Sequence, residues 1–215
     1  MSKLKFQWLI LAGSIMLLLA MLMAKSLPSY ANQSVPSLDK LLLHRDDLPN
    51  LYGAEWNLLT QDPEELAREI ARFTGLVREE ADFLEGRGIG FFTYSVSHPE
   101  ATVIVQGLYR FQSREEALTR YERVLQSLPL ILGRETPVIR QSEWSLGGAT
   151  GRQFVALDSI ESAYAYWFVG VRKDLVMIVQ IWICHPVDFQ PIPPDSDQVV
   201  LAKLLPKALR PIMEY

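Results

Sequence analysis

The period of the apolar residues changes several times along the chain, and each change predicts an element. Ala163 to Val171 (AYAYWFVGV) and Leu175 to Ile183 (LVMIVQIWI) are apolar at odd and even positions alike, with Arg172-Lys173-Asp174 between them. Two strands of that kind joined by a short polar turn make a hairpin covered on both faces, which belongs at the centre of a sheet. A second hairpin is expected from Ile89–Val96 and Thr102–Phe111, rich in β-branched and aromatic residues and separated by the turn signal Ser97-His98-Pro99-Glu100. Val138 to Trp144, the tight turn Leu146-Gly147-Gly148, and Arg152 to Leu157 add two more strands. Trp56, Leu58 and Leu59 mark a short first one.

Helical spacing appears in three places. Asp62 is a natural N-cap, Pro63 suits the first turn and Glu65 completes a capping box. Leu66, Ile70 and Phe73 then form an apolar stripe, and Gly75 sits where a left-handed C-cap is needed. Ser113 and Glu116 announce a second helix with Ala117, Tyr121, Val124, Leu125 and Leu128 on its inner side and Pro129 as its limit. A third begins near Ser196, after a proline-rich loop from Pro186 to Pro194. It presents Val199, Val200, Leu204, Leu205, Ala208 and Leu209 inward, and Pro206 should kink or shorten it. Leu41-Leu42-Leu43 reads as an apolar turn stopped at Pro49. The expected fold is α+β: an antiparallel sheet of five to seven strands packed between helices. The order hairpin then helix occurs twice, at 89–128 and 163–210, which hints at a duplicated unit.

Several junctions taken together point to a known family. The segment LLLHRDDLP, the strand-into-helix junction YRFQSREEALTRYE, and WSLGGATGRQFVAL ahead of the apolar hairpin and closing helix resemble exported bacterial domains of the PsbP/Mog1-like fold. The resemblance covers most of residues 40–212 and implies an α/β/α sandwich. It also implies a relationship with photosystem-associated lumenal subunits and mycobacterial-type cell-envelope lipoproteins. That family has no shared catalytic residue set, so the resemblance implies no functional residues here. The lipobox cysteine of the lipoprotein members is missing from this chain.

The N-terminus carries a different signal. Lys3 and Lys5 precede Trp8 to Ala24 (WLILAGSIMLLLAMLMA), 17 residues without a charge, and Ser29-Tyr30-Ala31 follows with small residues at the −3 and −1 positions. These are the parts of a secretory signal with cleavage after Ala31. The run is longer than a usual signal core and shorter than the roughly 20 residues that span a bilayer, so an uncleaved anchor is the second reading and a buried core helix the third. Residues 1–31 are thus assigned as signal peptide or membrane anchor, 32–38 as a linker and 39–215 as one α+β domain. Both leading readings put that domain outside the cytoplasm: in a periplasm or lumen, or at the outer face of a membrane.

Charge and cysteine content narrow the partners. The chain has 21 basic and 25 acidic residues; Lys3, Lys5 and Lys25 lie in the first 31 residues and no acid does, leaving 18 basic against 25 acidic residues beyond them. A domain that acidic without a basic cluster in its sequence is a poor partner for nucleic acid, and it would meet a membrane only through an uncleaved N-terminal segment. Cys184 is the only cysteine, so the fold relies on its core and not on a disulfide.

Candidate chemistry is sparse. His44, His98 and His185 lie in predicted loops and show no metal-ligand spacing. Cys184 and His185 are adjacent, but neighbours on an extended strand point to opposite faces, so a nucleophile–base pair is not expected. Gly86, Gly88 and Gly90 (GRGIG) are spaced like a phosphate-loop fragment, yet a strand follows them where a helix is required, so they are expected in a flexible loop. Glu79, Glu80, Asp82 and Glu85 read as a solvated acidic edge lacking calcium-loop spacing. No cofactor motif is present. The most suggestive set is aromatic: Tyr94, Tyr109, Tyr164, Tyr166, Phe168 and Trp182 could line an apolar cleft or docking patch, with packing beneath a helix as the plainer account. The leading role is a binding or accessory module without chemistry of its own, partnered by a membrane or envelope protein complex. An envelope-acting hydrolase assembled from distant loops and a carrier of an apolar ligand are the alternatives.

Overall fold

The computed structural model describes residues 36–51, 53–59, 62–77, 83–94, 101–132, 137–158, 163–184 and 199–215. The residues expected to form an export signal, with the expected cleavage point Ala31, and His98, His185, Glu79, Glu80, Asp82 and Pro186–Pro194 lie outside them. Among the described residues, no helix is long and apolar enough to cross a membrane. The compact unit is Ser37–Tyr215. Its packing begins at Leu38, the last position assigned to the linker, which is fully buried.

Seven strands form one antiparallel sheet among the described residues: β1 (Asn57–Leu58), β2 (Glu85–Tyr94), β3 (Ala101–Arg110), β4 (Val138–Leu146), β5 (Ala149–Asp158), β6 (Ala163–Arg172) and β7 (Leu175–Cys184). Their order across the sheet is β1-β2-β3-β7-β6-β5-β4. After β3 the chain crosses to the far edge and returns strand by strand until β7 pairs with β3. This path explains why β6 and β7 carry an unbroken apolar run: they are interior strands, and every residue from Ala163 to Val171 is buried. The edge strand β4 is exposed at most positions and correspondingly polar.

Both faces of the sheet are covered. Helix α1 (Pro63–Thr74) and helix α2 (Arg114–Leu132) pack on one face, over Val105, Tyr109, Phe154, Trp167 and Ile178. On the other face lie two short 3-10 turns (Leu38–Leu41 and Arg45–Asp47) and the C-terminal helical segment, over Ile104, Tyr166, Phe168, Val179 and Ile181. The two hairpin–helix units therefore place their helices on opposite faces: α2 follows β3 onto one, and the C-terminal helix follows β7 onto the other.

Local signals account for most boundaries. Asp62 caps α1, its carboxylate accepting from the main-chain N–H groups of Glu64 and Glu65 at 3.0 Å each. Gly75 ends the helix in the left-handed conformation (φ 71°). Ser113 Oγ accepts from Glu116 N at 3.1 Å at the start of α2. Gly147 and Gly148 take φ values of 60° and 79° in the β4–β5 turn, the two consecutive positive angles a two-residue hairpin turn needs.

Three expectations are corrected and a fourth is made more specific. The buried face of α1 is Ala67, Ile70, Ala71 and Thr74, not Leu66–Ile70–Phe73. Small residues let the helix sit close to β2, and Phe73, 49% exposed, lies at the rim, stacked on Trp167 at 5.4 Å. Helix α2 does not stop at Pro129 but runs to Leu132, whose side chain is buried in the same core as Leu128. The glycines of GRGIG are not in a loop: β2 starts at Glu85, and Gly86, Gly88 and Gly90 pair with Tyr109, Gly107 and Val105 of β3. A Cβ at Gly88 would stand 2.8 Å from Ala67 N, so that glycine is where α1 rests on the sheet. Finally, Val199–Leu204 is π-helical and becomes α-helical (α3, Leu205–Glu214) just before Pro206. The change of winding falls where proline cannot donate an N–H.

Candidate functional site

The sheet divides the six candidate aromatic residues between its two faces. Tyr164, Tyr166 and Phe168 alternate along β6 and do share a face, but they lie within the core beneath the C-terminal helix: Tyr166 and Phe168 are fully buried and Tyr164 nearly so. Burial pushes the Tyr164 phenol above its ordinary pKa. Tyr109 and Trp182 belong to the opposite face. Tyr94, at the end of β2, is exposed and pairs in register with Ala101. The six do not form one surface. Only the β6 trio comes together, as packing.

Tyr109 shows what a buried phenol does here. Its hydroxyl donates to the carbonyl of Ala67 at 2.8 Å, its ring meets Phe83 edge-on at 5.6 Å, and desolvation raises its pKa well above the ordinary value. Gln106 plays the same part on the other face. Its Oε1 accepts from Leu43 N at 2.8 Å and its Nε2 donates to Ala208 O at 2.9 Å. One buried amide thus joins the N-terminal turns to α3.

The ionisable residues mostly join elements too. Glu85, expected on a solvated acidic edge, is instead half-buried: Arg110 donates to its Oε2 at 2.6 Å, and Leu38 N donates to its Oε1 at 3.2 Å. Arg87 pairs with Asp39 at 2.9 Å and with Glu64 at 3.3 Å. Arg210 of α3 pairs with Asp47 at 3.1 Å. His44 is exposed beside the second 3-10 turn, where its main-chain N–H donates to Asp47 Oδ2 at 3.2 Å. Cys184, which is in no disulfide, ends β7, flanked in register by Ala101 and Ala163. Among the described residues, no three His, Cys, Asp or Glu side chains gather as metal ligands do.

Two surface cavities differ in how their charges are met. One, of about 310 Å³, is lined by Glu64, Arg68, Glu85 and Arg87, which are tied into the pairs above or to one another. The other, of about 240 Å³, lies where the start of α2 meets the β4–β5 and β6–β7 turns, and the ionisable residues lining it are Arg114, Arg172 and Lys173. Sequence reasoning missed this second group. Arg114 stands 58 positions before Arg172, and it is the pairing of β7 with β3 that brings the β6–β7 turn to the chain leaving β3.

No family model matches the chain, and no curated protein matches it. Among solved structures, the extracellular domain of PknH from Mycobacterium tuberculosis is similar at 9% identity with a TM-score of 0.43, over 86% of this chain and all of that one.

Proposed function

We propose that residues 37–215 form a binding or accessory module without catalysis of its own, held outside the cytoplasm by an export segment and partnered by a membrane or envelope protein complex. The observation that carries this reading is the N-terminal pattern: Lys3 and Lys5, the uncharged run Trp8 to Ala24, and Ser29-Tyr30-Ala31, which together have the layout of a secretory signal. The use the domain makes of its ionisable groups agrees with it. Glu85, Arg87, Asp47 and Arg210 are spent on fastening turns and helices to the sheet. The sheet covered by helices on both faces is in keeping with the resemblance to PsbP/Mog1-like exported domains, which belongs to the same proposal.

The test is affinity purification of the full chain from detergent-solubilised membranes, with the mass of the native protein measured on the same sample. Recovery with a membrane or envelope protein is expected, and a mass beginning at Asn32 would place the cut after Ala31. A full-length, monomeric chain recovered alone from the cytosol would overturn both the location and the role.

A further inference from the structure

We propose that the cavity beside the β6–β7 turn binds a phosphate-sized oxyanion. The ionisable side chains lining it, Arg114, Arg172 and Lys173, are all cationic, with Thr150 as a neutral hydroxyl and Gly148 leaving one wall open to the main chain. In a domain with an excess of acidic residues, a cavity lined by three cations attracts an anion.

The three cations are in different states. Arg172 is fixed from behind: its Nη1 donates to the main-chain carbonyls of Ile212 and Met213, neutral acceptors that orient the guanidinium and leave its charge uncancelled. Lys173 Nζ donates to the main-chain oxygen of Tyr215 at 2.7 Å and stands 5.3 Å from the centre of that ring. The adjacent acid, Asp174, is occupied in accepting from the Tyr215 hydroxyl at 3.0 Å. The Arg114 side chain is exposed and has no hydrogen-bond or ion-pair partner among the described residues, in contrast to those of Arg87, Arg110 and Arg210. Its planar fork is the group free to close on an oxyanion, since a guanidinium donates two parallel N–H bonds to phosphate or carboxylate. The backbone frame is firm: Phe111 N donates to Asp174 O at 2.9 Å, tying the approach to α2 to the β6–β7 turn. Arg114 is therefore held near a preoriented Arg172, an arrangement that lowers the entropy lost on binding.

A phosphate group could be the free ion or the headgroup of an ester, and the chemistry of recognition is shared. The experiment is isothermal titration of the full chain in detergent, at low salt, with inorganic phosphate and separately with glycerol phosphate. Saturable one-site binding is expected, weakened about tenfold in Arg114→Gln, weakened less in Thr150→Val, and unchanged in Lys207→Gln, which removes a charge from the exposed side of α3. Tighter binding of glycerol phosphate would assign the site to an ester and equal binding to the ion itself; either supports the proposal. Absence of saturable binding by both probes, or equal weakening by Arg114→Gln and Lys207→Gln, would overturn it. Because Arg114 is exposed, its variant is expected to keep the melting temperature of the parent, which separates lost binding from lost fold.

Discussion

Tyr109 donates a 2.8 Å hydrogen bond to the carbonyl of Ala67, so a strand side chain reaches into the side of a helix. The geometry that permits it is a trough of glycine. Gly88 and Gly107 are opposite one another on β2 and β3. A Cβ at Gly107 would come within 2.5 Å of the Tyr109 hydroxyl, and one at Gly88 within 2.8 Å of Ala67 N. Helix and ring share space that any side chain on those two glycines would take. Tyr109→Phe keeps the ring and deletes only the bond, so the expected loss is about 1 kcal/mol. A urea titration should show a lower midpoint with an unchanged slope; an unchanged midpoint would mean the bond contributes nothing.

The same phenol gives the domain a dependence on alkaline pH. Burial raises the Tyr109 pKa well above the ordinary value, so in the folded state it stays protonated where the unfolded chain ionises at about 10. The unfolded state then binds fewer protons, and stability is kept below that pH and lost as pH rises above it. Tyr121, Tyr164 and Tyr215 are shifted the same way, so Tyr109→Phe should reduce the fall and not abolish it. Melting temperatures from pH 8 to 11 for parent and variant would show this as a shallower slope; identical slopes would rule Tyr109 out as a contributor.

Gly88→Ala tests the seat of α1. Glycine inside a strand is ordinarily a weakness, and alanine there would be expected to help by roughly 0.5–1 kcal/mol. Here the added Cβ meets the backbone of Ala67 and the Leu66 side chain at 3.1 Å; a helix backbone cannot step aside as a flexible side chain can. The overpacking cost of about 1–3 kcal/mol wins. The melting temperature should drop by several degrees, at roughly 2–4 °C per kcal/mol for a domain of this size. A rise in melting temperature would show that α1 does not rest on this strand as described.

What was legible in the sequence followed from local physics. The caps at Asp62 and Ser113 and the turn at Gly147-Gly148 are short-range signals, and they appear where expected. The apolar hairpin announced its own central place because both its faces are greasy. The misreadings are tertiary in origin. Gly86, Gly88 and Gly90 look like a loop until β2 is known to pair with β3 through all three and α1 to press on Gly88. Phe73 looks like core until Ala67 and Ala71 prove to be the side that fits against β2. Glu85 looks solvated until Arg110 is known to lie opposite it in register. The aromatic candidates were chosen by residue type, and alternation along β6 put Tyr164, Tyr166 and Phe168 on a buried face. The cavity of Arg114, Arg172 and Lys173 had no linear signature, because it is made by a sheet order that brings β7 back to β3.

Gln106 offers the sharpest test of how the N-terminal turns are held. Its side chain is completely buried, and it accepts from Leu43 N while donating to Ala208 O. Within α3 the Ala208 carbonyl also faces the helix's own hydrogen-bond ladder, whereas the Leu43 amide sits in a turn and depends on the glutamine. Gln106→Leu keeps similar bulk and removes both bonds. It strands a buried donor, and a group left in that state costs about 1–3 kcal/mol. The loss should be local before it is global. Hydrogen exchange at the Leu43 amide should speed up in the variant by at least tenfold, with the neighbouring Leu38–Leu41 turn following, while amides of β6 and β7 change only as far as global stability does. Equal acceleration everywhere would mean the turns are part of the cooperative core and that Gln106 is one contact among many. An unchanged Leu43 rate would mean that its amide finds another acceptor and that the tie between the N-terminal turns and α3 lies elsewhere.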